Sequence, residues 1–502
     1  MPKPLSRSSG GCWTCRIRHR KCDESSPSCK ECTDRHIACH GYGPEPDWMK
    51  NPSKLQAELQ RIKHAVKQNF RRTRKLQASS ARSFRGVTES STNGFNESTV
   101  FSHGGSEFRE AELITYYLDY IFPLQYAYYI DKPEQGGRGW LFWLLSKKGP
   151  LRHAAFTLSA LHQHIISESK TEEMESELIR HHTNAMQELR QVLSRCEIDG
   201  FASHPETRVE FLTCGTFLIS FEVFQGGTSN WESHLNALVL VASQIDLESI
   251  ARVADPSVST GPDAGFQRIV NASTRFHISQ LLWFDLLSCI STGGSPKLPY
   301  QRWLSHEEID ISCVMGCQNW AMLALGDVAS LETQVAELNP RVVKRRAAEI
   351  MKRLKDGIGY LDVQDKPASA IASQSVTRVF ATAILVQLCN MLENAGDPHE
   401  ILHEAVANVI DALQRVPEGV PLRGMPWPIC VAGSMAAPEQ QPFFENLIEE
   451  VLETSGVGFT NCDTVYRILR ESWQGQEQRA IVKGYPTCTY AMSRLGICAL
   501  LV

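Results

Sequence analysis

Six cysteines, Cys12, Cys15, Cys22, Cys29, Cys32 and Cys39, stand in two identical C-x2-C-x6-C halves. Thiolates are soft ligands suited to zinc, and four of them surround one ion tetrahedrally. Six sulfurs exceed what one zinc takes, yet two separate ions need about eight sulfur bonds. If the first cysteine of each half, Cys12 and Cys29, bridges both ions, each ion sees four sulfurs and the cluster carries a formal charge of about two minus. The alternative for six cysteines in so short a stretch is a disulfide knot, as in small secreted domains. Residues 1–11 lack the apolar core of a signal peptide, and no run of about 18 or more apolar residues occurs. The expectation is therefore an intracellular, reduced chain without a membrane anchor, whose C-x2-C pairs hold metal.

Between Cys15 and Cys22 lie Arg16, Ile17, Arg18, His19, Arg20 and Lys21. On a short helix these basic residues cannot all face one way, so some can enter a major groove while others grip phosphates on either side. Arginine suits two-pronged contact with guanine O6 and N7, and His19 can offer one hydrogen bond to the same edge. The bland alternative is a solvated charged face.

The whole pattern resembles the Zn2Cys6 binuclear-cluster transcription regulators of fungi, in which a C-x2-C pair is followed by Arg-x-Arg-Lys-x-Lys and then Cys-Asp. Cys22 and Asp23 match the end of that pattern, and Pro27 matches the proline that turns the loop between the halves. His19 departs from it, standing where the family usually has a lysine that reaches base edges. The resemblance implies two Zn2+ ions, double-stranded DNA as partner and a nuclear location. It also implies recognition of a short CGG triplet, with Arg18 and His19 nearest the bases, at RNA polymerase II genes of a metabolic or biosynthetic pathway.

Around this head the charge is uneven. Residues 1–85 hold 19 Lys+Arg against 7 Asp+Glu, a net of +12, and the remaining residues hold 32 against 49, a net of −17. The basic part carries the electrostatic footprint of nucleic-acid binding, and the acidic part faces some other partner. The chain divides into a flexible leader (1–10), the zinc-cluster domain (11–42), a linker with a basic amphipathic helix (43–77), a disordered linker (78–107) and a large all-α domain (108–502). Within residues 54–77, Leu55, Leu59, Ile62, Val66, Asn69, Thr73 and Leu76 form a seam at intervals of three and four. Lys63, Lys67, Arg71, Arg72, Arg74 and Lys75 make its outer faces basic. Three readings stand open for it: a short dimerisation helix pairing two copies of the chain, a DNA-tracking or nuclear-import helix, and a simple helical linker.

With 502 residues, 42% of them hydrophobic, the chain can bury a large core. The fold class expected is mainly α. Apolar periodicity predicts helices over 112–122 (ended by Pro123), 140–145, 151–166, 172–195, 211–224, 231–246 and 276–291, the last near the centre of the core. Further helices are predicted over 319–337, 342–355, 375–393, 399–416, 441–453 and 464–472. This stretch also resembles the fungal-specific regulatory domain that accompanies such clusters. The likeness rests on Tyr117 to Pro123, on Gly136, Gly137, Arg138, Gly139 and Trp140, on Leu282 to Asp285, and on Trp427 to Gly433. His162 and His164 point to different faces of one helix, as do the adjacent His181 and His182, which argues against a shared metal. The ten cysteines beyond Cys39 read as buried small hydrophobes.

No phosphate-cradling G-x-x-x-x-G-K-[ST], H-E-x-x-H or G-x-S-x-G occurs, so the chain does not read as an enzyme. The acidic helical domain reads as a scaffold that dimerises or recruits transcription machinery. A small-molecule effector acting through a pocket in it, and gating the DNA-binding head, is the alternative function.

Overall fold

The computed structural model describes residues 11–18, 22–25, 28–33, 39–44, 46, 49, 62, 100–131, 137–167, 169–199, 205–228, 230–246, 264–362, 368–393, 400–454, 460–478 and 487–502. Two compact units meet between residues 99 and 100 and are described separately. Of the seam at residues 55–76 only Ile62 is among the described residues, where it is buried. The described residues are helical, with no strand among them.

In the first unit each cysteine pair opens a short helix, α1 (Trp13–Ile17) and α2 (Lys30–Thr33). The extended strand expected after each helix is not found, since residues 22–25 carry no regular structure. The only apolar cluster here is the sulfurs themselves, Cys12, Cys15, Cys22, Cys29 and Cys32, with Cys39 and Tyr42 packed on it. So small an apolar interior cannot offset chain entropy by itself.

The second unit opens with α3 (Val100–Tyr116), which begins upstream of Phe108, inside the stretch read from composition as a disordered linker. Pro123 does not end this helix. The chain widens into a π-turn (Tyr117–Ile121) and continues as α4 (Phe122–Gln125), with Pro123 in its first turn. In an unbroken α-helix the proline ring would meet the carbonyl four residues back, and a widened turn relieves that clash. Arg138 donates from Nη1 to the Leu118 carbonyl at 2.7 Å and from Nε to Asp131 at 2.7 Å, so the Gly137-Arg138-Gly139 turn braces the widened segment.

Helices α5 (Gly139–Ser146), α6 (Pro150–Ile166), α7 (Glu172–Asp199), α8 (Pro205–Val223) and α9 (Trp231–Ala242) follow, α6 and α7 pairing most extensively. The centre is α10 (Ala264–Thr292), buried continuously from Phe276 to Ile290. It packs on α5, α8 and α9, and later on α12 (Ser312–Met315), α13 (Asn319–Gln334) and α20 (Cys488–Leu495). Asp285, near its end, accepts from the Lys297 and Leu298 amides at 2.8 Å each, which anchors the loop leading to α11 (Tyr300–Leu304).

The remaining helices are α14 (Pro340–Asp362), α15 (Ala368–Glu393), α16 (Glu400–Gln414), α17 (Pro426–Ser434), α18 (Gln441–Thr454) and α19 (Cys462–Gln478). In α17 every residue is buried. Its Trp427 ring stacks on Phe380 of α15 at 6.0 Å, and Trp473 donates to the Gly433 carbonyl at 2.9 Å. Residues 370–392 are long and apolar enough to cross a membrane, but 78% of that window is buried inside the protein, as in the core helix of a globular domain.

Gly326 of α13 lies under the Tyr300 ring, where an added Cβ would come within 2.4 Å of ring carbons. The Tyr300 hydroxyl is held by Asp327 at 2.8 Å, so the ring cannot swing away freely. Glycine to alanine inside a helix ordinarily stabilises by about 1 kcal/mol. Here overpacking outweighs that gain, and Gly326→Ala is expected to destabilise the protein by about 1–3 kcal/mol in urea unfolding. A gain in stability would show that Tyr300 yields.

Candidate metal centre and nucleic-acid interface

Each half of the head is built the same way. The Cys12 carbonyl accepts from Arg16 N as α1 begins, and the Cys29 carbonyl accepts from Thr33 N as α2 begins. The backbone N–H of Cys12 reaches the Cys22 sulfur at 3.5 Å, and that of Cys29 likewise serves the Cys39 sulfur. The first cysteine of each half thus sits between its own helix and its own last cysteine.

The sulfurs converge accordingly. Cys12 lies 3.6 Å from Cys29 and 3.9 Å from Cys32, and Cys15 lies 3.6 Å from Cys29 and 4.0 Å from Cys32, sulfur to sulfur. Four sulfurs at the corners of a tetrahedron about 2.3 Å from a central zinc stand about 3.8 Å apart. The observed spacings bracket that value. Cys12 and Cys29 each interact with sulfurs of both halves, Cys12 with Cys15, Cys29, Cys32 and Cys39, and Cys29 with Cys12, Cys15, Cys22 and Cys32. They are the two hubs of the set.

Protonation follows the same geometry. Burial pushes the thiols of Cys12, Cys15 and Cys32 up, Cys15 to about 12. Burial also acts upward on Cys22, but the amides of Cys12 and Glu24 and the Tyr42 hydroxyl outweigh it and bring Cys22 to about 7. The interior sulfurs therefore become thiolates only when a cation of high charge takes the place of their protons. A donor set of sulfur alone, at tetrahedral spacing and withdrawn from water, fits zinc.

Around the cage runs a clasp that the cysteine spacing does not announce. Thr14 Oγ1 accepts from His40 N at 2.9 Å and lies 2.8 Å from His40 Nδ1. Trp13 donates from its backbone to Gly41 at 3.1 Å and from Nε1 to Gly43 at 2.9 Å. Tyr42 donates to the Ser25 carbonyl at 2.9 Å while lying 3.6 Å from the Cys22 sulfur. The Gly41-Tyr42-Gly43 run, which reads from its glycines as the start of a linker, closes back over α1. The only sequence signal for it is an aromatic placed soon after the last cysteine.

Of the basic residues assigned to DNA, Arg16 is exposed and its guanidinium covers the Trp13 ring at 4.4 Å. Arg18 turns instead toward α2, pairing with Glu31 at 3.6 Å, with only 9% of its side chain exposed. Among the described residues its Nη1 has no hydrogen-bond partner. His19, Arg20 and Lys21 lie outside the described residues, as do Pro27 and Gly136.

In the body, the adjacent histidines diverge as expected, His181 toward His153 (3.2 Å between Nδ1 atoms) and His182 onto the Phe221 ring at 4.5 Å. Burial, then Arg180 and His153, drive His181 down to about 4, so this pair is neutral at ordinary pH. His162 bonds the Tyr116 hydroxyl at 2.7 Å, an interior role where a surface or capping one was expected. Cys313 and Cys317 belong to no metal-ligating group among the described residues. Of the cysteines beyond Cys39, seven are buried, Cys313 and Cys498 are partly so, and the side chain of Cys196 is outside the described set.

Residues 10–48 match the family described as the fungal Zn(2)-Cys(6) binuclear cluster domain, and residues 112–489 match the fungal specific transcription factor domain. The pestheic acid cluster transcriptional regulator 3 of Pestalotiopsis fici is 27% identical, over 87% of this chain and 89% of its own. The trichothecene biosynthesis transcription regulator TRI10 of Trichoderma arundinaceum is 27% identical, over 74% of this chain and 92% of its own. The ustiloxin B cluster transcription factor ustR of Aspergillus flavus is 22% identical, over 94% of this chain and 95% of its own. No solved structure matches.

Replacing Thr14 by valine keeps its shape but removes the acceptor for the His40 amide. An unmade hydrogen bond at a buried amide costs about 1–3 kcal/mol. Thr14→Val is therefore expected to weaken zinc binding about tenfold or more in competition with a chromophoric chelator. Unchanged affinity would leave the clasp without a share in holding the cage.

Proposed function

This chain belongs to the fungal-specific transcription factor domain family and carries the Zn(2)-Cys(6) domain at its head, and from that premise we propose that it is a nuclear regulator reading CGG-type triplets at RNA polymerase II genes. It is a zinc-cluster transcription factor and not an enzyme, as are its relatives. Cys12 and Cys29 bridge two zinc ions, with Cys15, Cys22, Cys32 and Cys39 completing the two sets of four. Arg16, Arg18, His19, Arg20 and Lys21 contact DNA. The observation that carries this reading is the sulfur set itself, whose tetrahedral spacing fixes α1 and hence the basic residues that follow Cys15. Relatives named for the pestheic acid, trichothecene and ustiloxin B systems support control of a biosynthetic pathway. The acidic body recruits transcription machinery and brings two copies of the chain together, since one triplet is too short to select a site in a genome.

The ion pair with Glu31 gives Arg18 a competing acceptor. To read a guanine edge Arg18 must exchange that carboxylate for O6 and N7, while the freed Glu31 faces phosphate. Glu31→Gln is expected to tighten binding to a CGG duplex about three- to tenfold in fluorescence anisotropy. Weaker binding would mean that Glu31 positions Arg18 and does not restrain it.

The reading as a whole is tested by selecting duplexes from a random pool with the full chain and with His19→Lys. Enrichment of CGG-type triplets is expected, with a changed triplet preference or tighter binding for the lysine variant. Enrichment of no motif would overturn the assignment, and identical motifs and affinities for the two proteins would remove His19 from base reading.

A further inference from the structure

A crevice in the helical body gathers polar atoms that nothing satisfies. Six segments meet around it: the end of α4, the end of α8, the middle of α10, the 3-10 turn Leu422–Gly424, the residues just before α19, and the C-terminus. It encloses about 620 Å³ of non-atom space, part of it open to solvent. Five buried side-chain atoms without a hydrogen-bond partner belong to residues lining it: Gln125 Nε2, Gln280 Oε1, Trp283 Nε1, Arg423 Nε and Asn461 Oδ1. Gln280 and Asn461 are 1% exposed and Trp283 is 6% exposed.

The other end of several of these groups is firmly held. Gln280 Nε2 donates to the Tyr126 hydroxyl at 2.7 Å, Gln125 Oε1 accepts from Tyr117 at 2.6 Å, and Asn461 Nδ2 donates to the Leu500 carbonyl at 2.7 Å. The side chains are thus fixed with one polar end toward their neighbours and the other unused. Each buried group left so costs about 1–3 kcal/mol, and native proteins tolerate few. Five around one crevice mark a site shaped for something else. Among the described residues Arg423 has no ion-pair partner, and its single protein hydrogen bond runs at 3.4 Å to the Pro123 carbonyl. Burial presses on the charge and lowers its pKa.

We propose that this crevice binds a small planar anion bearing hydroxyl donors, of the class of aromatic hydroxy acids. Arg423 Nε–H, Trp283 Nε1–H and the Gln125 amide donate to its acid oxygens, and Gln280 Oε1 and Asn461 Oδ1 accept from its hydroxyls. The rings of Tyr126, Tyr128 and Phe284 flank the space and suit a flat ligand. Tyr128 is itself seated against Gly316 and Gly424, where a Cβ would come within 2.8 Å of its ring. Because α10 runs through the core, occupancy bears on packing throughout the body. The site stands independently of which DNA the head reads.

The test uses the full chain, titrated calorimetrically with 2,4-dihydroxybenzoate, with benzoate as the anion lacking donors and resorcinol as the donor lacking charge. One equivalent of the dihydroxy acid is expected to bind, at least about tenfold tighter than either control. Arg423→Met removes the cation. Gln125→Glu still accepts from Tyr117 but presents a carboxylate to the ligand. Each is expected to weaken binding by about tenfold or more. Ligand-free Arg423→Met is expected to melt no lower than the parent, since no ion pair is lost. No binding of the dihydroxy acid at millimolar concentration, equal binding of the controls, undiminished binding by both variants, or a clearly lower melting point for Arg423→Met would each overturn the proposal.

Discussion

The head depends on one exchange, protons for metal at buried sulfurs. Burial pushes Cys12, Cys15 and Cys32 up, so that without a cation their thiols stay neutral and their mutual contacts are weak. With zinc present the same burial works in reverse, because a low-dielectric cage strengthens the attraction between metal and thiolate. Since this unit has no apolar cluster beyond the sulfurs and Tyr42 among its described residues, metal binding and folding are one event. Everything the head does to DNA follows from that, for α1 is a helix of five residues that could not persist alone.

The body is held on other terms. Its stability comes from apolar burial around α10, from Asp285 fixing the following loop, and from aromatic seats closed by glycines at Gly326, Gly424 and Gly433. Against that background the unsatisfied atoms around Arg423 stand out, because the same core satisfies its buried hydroxyls almost everywhere through bonds to carbonyls three or four residues back. A fold this attentive to polar groups leaves them open where a further molecule would complete them.

Spacing made the metal centre legible, because ligand geometry is local: two C-x2-C pairs and a basic insert state their chemistry in sequence. Helices with one wet face were also legible, since α6, α7, α14 and α16 carry the three-and-four alternation. The failures share a physical cause. Helix α17 is buried on every side and so has no period, and its Pro426 and Pro428 look like breakers although first-turn N–H groups need no partner. Pro123 misled in the opposite sense, because a π-turn absorbs it. The glycine- and serine-bearing run after Val100 reads as a tether by composition, yet it continues a helix whose later turns are packed. The clasp of Thr14 with His40 and the pairing of Arg18 with Glu31 join residues distant in sequence, and residue type alone does not mark them.

X-ray absorption at the zinc edge on the intact chain bears most directly on the cage. The expected spectrum shows four sulfur neighbours per zinc at about 2.3 Å, with a second zinc as the next heavy scatterer and two ions per chain. A single ion per chain, nitrogen or oxygen among the nearest neighbours, or zinc without a zinc neighbour would contradict a cluster built on shared Cys12 and Cys29.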